Sequence, residues 1–308
     1  MAERPPAFVD CYGDPADRLT KGMLDIVPEI EVIYGEARDE DVLIRRLAGR
    51  RNVLVYMAYL SERVIRACPG LRTIAYLSTG LATHGDVDAI RDLGVRFEGV
   101  SGYGDRAVAE HAIAMALVAL KRIHEMDREV RAGRWRLMRS EEFGAQAFGI
   151  IGLGGVGRET ARIAHGLGAR VIGWSRSGTG GGSPVELLSL VDVLSQSDIL
   201  SLHLELNPAT EGFIGSEAFL RMKPGVILVN TARAGIVEEC ALLDALETGI
   251  VAHAALDVFH REPLPADSPL LDRDNVTLTP HSAWLTTQAV DRLLVAGLKL
   301  LACHVSET

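Results

Sequence analysis

Three polar side chains follow three apolar runs in the second half of the chain: Arg233 after VILVN, Glu262 after AALDVF and His281 after VTLTP. In an open α/β sheet the carboxyl ends of the strands border the ligand crevice, so these runs, read as strands, bring an arginine, a glutamate and a histidine to one edge. Arg233 can form two parallel bonds to a carboxylate or polarise a carbonyl, with a geometric control that a lysine lacks. His281 can give a proton to a carbinol oxygen or take one from it. Glu262 can orient the imidazole and stabilise its cation.

A second constellation lies upstream. From Gly149 to Arg176 an apolar strand runs into Gly152-Leu153-Gly154-Gly155-Val156-Gly157, followed by a helical stretch and a returning strand, Arg170 to Trp174. This is a dinucleotide-binding fingerprint in its proper βαβ setting. Gly152 allows the tight turn, Gly154 lets the backbone approach a pyrophosphate, and Gly157 lets the helix pack close to the sheet. The helix N-terminus, at Gly155 and Val156, offers free N–H groups to the anion. About 20 residues on, where an acidic residue would hold the adenosine ribose 2′-OH, the chain has Ser175 and Arg176. That pair removes a repulsion and supplies a charge-assisted donor to a 2′-phosphate, so NADP is expected over NAD. His203 and Thr210 follow the run SLHLEL, where adenosine and ribose would pass.

These sites need a scaffold. A length of 308 residues suggests two domains. Before residue 100, the runs AFVDC, EVIY, NVLVYMA, RTIAYLS and VRFEGV alternate with amphipathic stretches, implying a parallel sheet with crossover helices. Later come the two fingerprint strands and the runs DILSLHLEL, GVILVNTA, VAHAALDVF and VTLTP. The expected fold is α/β with two doubly wound parallel sheets, a Rossmann dinucleotide-binding domain over 101–284 and a flavodoxin-like substrate domain over 1–100 and 285–308. The amphipathic end of the chain, TTQAVDRLLVAGLKLLACHV, is read as a helix returning to the first domain. Residues 107 to about 130 read as one long helix, with Glu110 and His111 supporting a hinge at its start. The arginine-rich stretch from Arg131 to Arg139, with Trp135, is either a solvated face or the arm of a homodimer.

Composition narrows the classes. No apolar run approaches the ~18 residues of a membrane span, and no secretory signal is visible, so the cytoplasm is the expected location. Cys11, Cys68, Cys240 and Cys303 are too scattered for a metal knuckle or a disulfide framework. His84 lacks further ligands at usable spacing, so no metal is expected. A formal net charge of −9 argues against a nucleic-acid partner.

The motifs VAEHAIAMALVALKR (108–122), GIIGLGGVG (149–157), SLHLELNPAT (201–210), VNTARAGIVEECAL (229–242), ALDVFHREPLP (255–265) and LTPHSAW (278–284) occur in family order. By them the chain resembles the D-isomer-specific 2-hydroxyacid dehydrogenases, most of all the glyoxylate and hydroxypyruvate reductases. The resemblance implies a catalytic Arg233, Glu262 and His281, and nicotinamide contacts at Thr231, Ala232, Arg233, Asp257 and His281. It implies hydride transfer from the cofactor to the C2 carbonyl of a small 2-oxo acid, giving a D-2-hydroxy acid, with Arg233 and His281 on the substrate. The family's carboxylate-binding loop matches Ser78 to Asp86, which lacks the usual second glycine, leaving the amides of Gly80, Leu81 and Ala82 as donors. Two other readings compete: a non-catalytic dinucleotide sensor, and a dehydrogenase of another small anion such as formate or phosphite.

Overall fold

The structure, a computed structural model, describes residues 4–306. The chain packs as two units. One runs to Gly104 and resumes at Leu285, and the other is Asp105–Trp284.

In the first unit, strands β1 (Ala7–Cys11), β2 (Glu31–Tyr34), β3 (Asn52–Val55), β4 (Thr73–Tyr76) and β5 (Arg96–Gly99) form a parallel sheet in the order β2-β1-β3-β4-β5. Helices α1 (Asp14–Arg18), α2 (Lys21–Leu24), α3 (Glu40–Leu47), α4 (Glu62–Arg66) and α5 (Val87–Asp92) lie along the connections. Every residue of β1, β3 and β4 is buried, as parallel strands covered on both faces require. The strand order reverses between β1 and β3, the switch point of a flavodoxin-like sheet.

Asp10 ties that point together. Fully buried in β1, it accepts N–H bonds from Tyr56 (2.7 Å), Met57 (2.8 Å) and Ala58 (2.8 Å) on the exit from β3. Burial pushes its carboxyl up to about 6, against the pull of those three donors and of Arg46.

The second unit contains β6 (Ala147–Ile151), β7 (Arg170–Trp174), β8 (Glu186–Leu187), β9 (Ile199–Leu202), β10 (Val226–Asn230), β11 (Val251–Leu256) and β12 (Val276–Leu278). They form a parallel sheet ordered β12-β11-β10-β9-β6-β7-β8, reversing between β9 and β6. This is the doubly wound class expected, with one strand beyond the six read from sequence. The extra strand, β8, is two exposed residues on the edge, too short to show a period.

Its helices are α6 (Asp105–Leu120), α7 (Ile123–Arg131), α8 (Gly155–Gly166), α9 (Leu190–Gln196), α10 (Ser216–Arg221) and α11 (Glu239–Glu247). The single long helix expected over 107–130 is two. Arg122, at φ +54°, breaks it, and its guanidinium turns back onto Glu125 at 2.8 Å. Ile123, Met126 and Val130 keep the apolar spacing across the break, so periodicity alone does not register it. Helix α6 is buried through Ala109, Ala112, Ala116 and Ala119 against α8 and the sheet, whereas α7 has no buried residue. Beyond α7, Trp135 and Leu137 are 85% and 89% exposed.

Helix α12 (Thr287–Ser306) packs on β3, β4, α1 and α2 of the first unit. A side chain at its Gly297 would run into Leu77 and press on Leu54, so glycine sets how close this helix comes to the sheet. Among the described residues no helix is long and apolar enough to cross a membrane.

Candidate active site

At the switch point of the second unit, β6 passes into Gly152 at φ +99°, where a Cβ would lie 2.8 Å from the His203 carbonyl carbon and closer to its oxygen. Only glycine fits. A Cβ at Gly157 would likewise run into the Gly152 carbonyl, so the first turn of α8 sits directly on the strand exit. Gly154 has open space where its side chain would be, and it caps α8 without a side-chain bond. The first intrahelical bond, from Arg158 N–H to Gly154 O, leaves the N–H groups of Gly155, Val156 and Gly157 without helical acceptors. Gly155 faces the carboxylate of Asp105.

Two observations fit these residues to a dinucleotide. The glycine turn is an open anion cradle at the positive end of a helix. At the end of β10, the buried hydroxyl of Thr231 has no hydrogen-bond partner among the described residues, a vacancy that suits a polar ligand group.

The other residues expected to touch the cofactor differ in how far they are already engaged. The Ser175 hydroxyl closes a turn, donating to Thr179 O at 2.9 Å and accepting its N–H at 3.2 Å. Arg176 is exposed beside it and makes no side-chain bond or ion pair among the described residues. His203 bonds Ser201 Oγ at 2.9 Å below the glycine turn, and burial pushes its imidazole down to about 4, so it stays neutral. The Thr210 hydroxyl bonds Asn207 and Glu205 within its own loop. Both side chains support the loops beneath the cradle.

The reactive edge is built by register. Asn230 of β10 pairs with Leu256 of β11, and Leu256 with Leu278 of β12, so the three chains leave the sheet in one row. Sequence reasoning missed Asn230. It is buried, accepts Ala232 N–H at 3.0 Å and donates to Arg233 O at 3.0 Å, and so shapes the loop that presents Arg233. The clue was an amide closing a run of Val, Ile and Leu. Arg233, half-buried, spends Nη1 on Ala232 O at 2.7 Å and keeps its other donors.

Asp257, expected to contact the nicotinamide, also anchors the chain that follows β12. Its carboxylate is wholly buried and accepts from Thr279 Oγ1 (2.5 Å), Ser282 N–H (3.0 Å) and Ala283 N–H (2.9 Å). Three of its acceptor positions hold the segment that carries His281. His111 of α6 adds a 3.1 Å contact from Nε2 to Thr279 Oγ1. Held in this way, His281 takes φ +51° and places Nδ1 2.7 Å from Glu262 Oε2, while Glu262 Oε1 accepts Phe259 N–H at 2.9 Å. Nδ1 is thereby oriented by the carboxylate. Nε2 makes no hydrogen bond among the described residues, at the tip of a side chain that is 39% exposed.

In the first unit, Gly80, Leu81 and Ala82 follow β4. Gly80 donates to Ser78 Oγ at 3.3 Å, and Leu81–Thr83 form one 3₁₀ turn. The N–H groups of Leu81 and Ala82 open that turn, where no intrahelical acceptor exists.

The family model for the D-isomer specific 2-hydroxyacid dehydrogenase, NAD binding domain, matches residues 113–283. A D-3-phosphoglycerate dehydrogenase of Mycobacterium leprae is 36% identical over 289 residues, covering 90% of this chain but 53% of the relative. The chain thus spans about half the length of that relative. A hydroxypyruvate reductase of Blautia hydrogenotrophica is 31% identical over 291 residues, covering 91% of this chain and 90% of the relative. Among solved structures, the pyruvate reductase of Chlamydomonas reinhardtii superposes with a TM-score of 0.85 at 25% identity, covering 99% of this chain and 98% of that one. A family model matching more than half of the chain, a relative aligned nearly end to end, and a glycine cradle with a histidine–glutamate pair on one sheet edge lead to one conclusion: the chain belongs to the D-isomer-specific 2-hydroxyacid dehydrogenase family.

Proposed function

We propose that the protein is a 2-oxo acid reductase that uses NADP in preference to NAD and forms a D-2-hydroxy acid from a small substrate of the glyoxylate or hydroxypyruvate kind. The observation that carries this reading is the 2.7 Å contact between His281 Nδ1 and Glu262 Oε2, with Nε2 left free.

The dinucleotide would be held by the N–H groups of Gly155, Val156 and Gly157, by the Thr231 hydroxyl and by the loop from Thr231 to Arg233. When bound, it supplies the hydride. The remaining steps belong to the chain. Arg233 pairs with the substrate carboxylate and polarises the carbonyl oxygen, and the amides of Leu81 and Ala82 are offered to a carboxylate as well. His281, protonated on both nitrogens, gives the Nε2 proton to the oxygen that gains negative charge. Glu262 keeps the Nδ1 proton in place and stabilises the cation before transfer. In the oxidative direction neutral His281 accepts the hydroxyl proton at Nε2. Asp257 and Asn230 act as positioning residues behind His281 and Arg233.

Substrate size and charge follow from the first unit taken by itself. Its switch-point edge carries Tyr12, Tyr56, Met57 and Tyr59, and the segments leaving β1, β3 and β4 (12–14, 56–60 and 77–84) contain no lysine or arginine. A phosphorylated substituent calls for such cations. This composition favours an uncharged substituent.

The cofactor preference is supported by exposed Arg176, free of any ion pair among the described residues, beside a serine where an acidic side chain would repel a 2′-phosphate. We also infer a homodimer, supported by the large apolar side chains of Trp135 and Leu137 held out in solvent.

One assay tests the reaction. NADPH and NADH oxidation is followed with glyoxylate, hydroxypyruvate, pyruvate, bulkier 2-oxo acids and 3-phosphohydroxypyruvate. The expected result is a higher kcat/KM for NADPH, a small uncharged 2-oxo acid as the best substrate, and a loss of about tenfold for NADPH alone in Arg176→Ala. A preference for the phosphorylated acid would overturn the substrate class. A preference for NADH would overturn the cofactor.

A further inference from the structure

Arg158, in the first turn of α8, joins two segments of the second unit. Its Nη1 donates to Leu153 O at 3.1 Å, within the glycine turn. Its stem and guanidinium lie along Gly181, in the loop that leaves β7: a Cβ at that residue, which has φ +57°, would sit 2.7 Å from Arg158 Cδ and 3.1 Å from Nη1. Glycine at 181 lets the arginine and the loop come together. The loop is folded into two turns, one closed by the Ser175 hydroxyl and the other by Ser183 Oγ, which donates to Gly180 O at 2.5 Å. Arg176 stands on the same loop.

These two arginines differ from the cations around them. Arg162 pairs with Glu159 at 2.7 Å, Arg170 with Glu186 at 2.8 Å and Arg106 with Glu110 at 2.7 Å. Arg158 and Arg176 are exposed, and neither has a carboxylate partner among the described residues. No acidic residue occurs from Ser175 to Val185. The bond to Leu153 O leaves most of the Arg158 donors unused.

We propose that Arg158 is a second cation for the ribose 2′-phosphate of NADP, reaching from the glycine turn toward the group that Arg176 meets from the loop. This rests on the NADP reading above. In a doubly wound sheet the adenosine ribose lies between the glycine turn and the end of the next strand, which are the two segments that Arg158 joins. A phosphate monoester offers three strong acceptor oxygens, more than one exposed arginine satisfies. Two guanidinium groups hold it with charge-assisted bonds from different sides. NADH presents only a hydroxyl there and gains little from either cation.

The test is binding, read without turnover. Dissociation constants for NADPH, NADH, adenosine 2′,5′-bisphosphate and 5′-AMP are measured by calorimetry for the parent, Arg158→Ala, Arg158→Lys, Arg176→Ala and the double alanine variant. Arg158→Ala should weaken NADPH and the bisphosphate by about fivefold to tenfold and change NADH and 5′-AMP by less than about twofold. Arg158→Lys, which keeps the charge without the fork, should recover part of that loss. The double variant should bind NADPH and NADH about equally. Equal losses for NADPH and NADH would assign Arg158 to the pyrophosphate, and no loss for NADPH would leave it a structural tie to Leu153. Either result overturns this inference alone, provided that the parent prefers NADPH. A parent that binds NADPH no better than NADH, and the bisphosphate no better than 5′-AMP, overturns the cofactor preference beneath it and this inference with it.

Discussion

His281 sits at φ +51°, a region that a residue with a Cβ enters at a cost and that the surroundings must enforce. Asp257 supplies the enforcement by holding the next two N–H groups, so the imidazole is presented by a fixed main chain. Replacing His281 with alanine should lower kcat by about 10² to 10⁴ and leave NADPH affinity unchanged, as read by steady-state assay and fluorescence titration. Turnover within a few-fold of the parent would assign the acid elsewhere. Glu262→Gln should give a smaller loss, because the amide can accept the Nδ1–H bond but carries no charge. Strand-end logic brought Arg233, Glu262 and His281 to one edge in the sequence, since each falls within three residues of the end of an apolar run. Asn230 and the actual bonding of Asp257 were not legible, because their partners, Ala232 and Ser282 with Ala283, are fixed by how two loops fold back on the sheet.

At the level of elements, the joint between β1 and the exit from β3 depends on one carboxylate. Asp10→Ala would leave three N–H groups without their acceptor, two of them buried, and should cost about 3 kcal/mol in urea unfolding of the first unit. Its pH dependence has a definite sign. Burial raises the folded value from 3.8 to about 6, so between those values the folded state binds more protons than the unfolded one, and stability from this group falls as pH rises. The urea midpoint of the parent minus that of Asp10→Asn should therefore shrink between pH 4 and pH 7. A difference that grows would mean that the three N–H bonds outweigh burial. The parallel strands were legible because buried β-branched runs stand out. The break at Arg122 and the two-residue β8 were not, the first hidden by apolar spacing that continues across it and the second too short to have a pattern.

For the whole molecule, the inferred homodimer predicts a particle of twice 33.2 kDa in sedimentation equilibrium. Trp135→Glu combined with Leu137→Glu should shift it toward the monomer, and an unchanged mass would place the interface elsewhere. The division of the chain was partly open to sequence, since strand rhythm marks two sheets, while the covering of β3 and β4 by α12 depends on the close approach that Gly297 permits. That covering bears on biosynthesis. The strands of the first unit leave the ribosome early, yet the helix that closes their apolar face is encoded only after the whole of Asp105–Trp284. The second unit has all of its strands in one continuous stretch and can complete its core as soon as it emerges. The first unit therefore cannot close its apolar face with its own last helix until the second unit has been synthesised, which lengthens the time its strands spend uncovered.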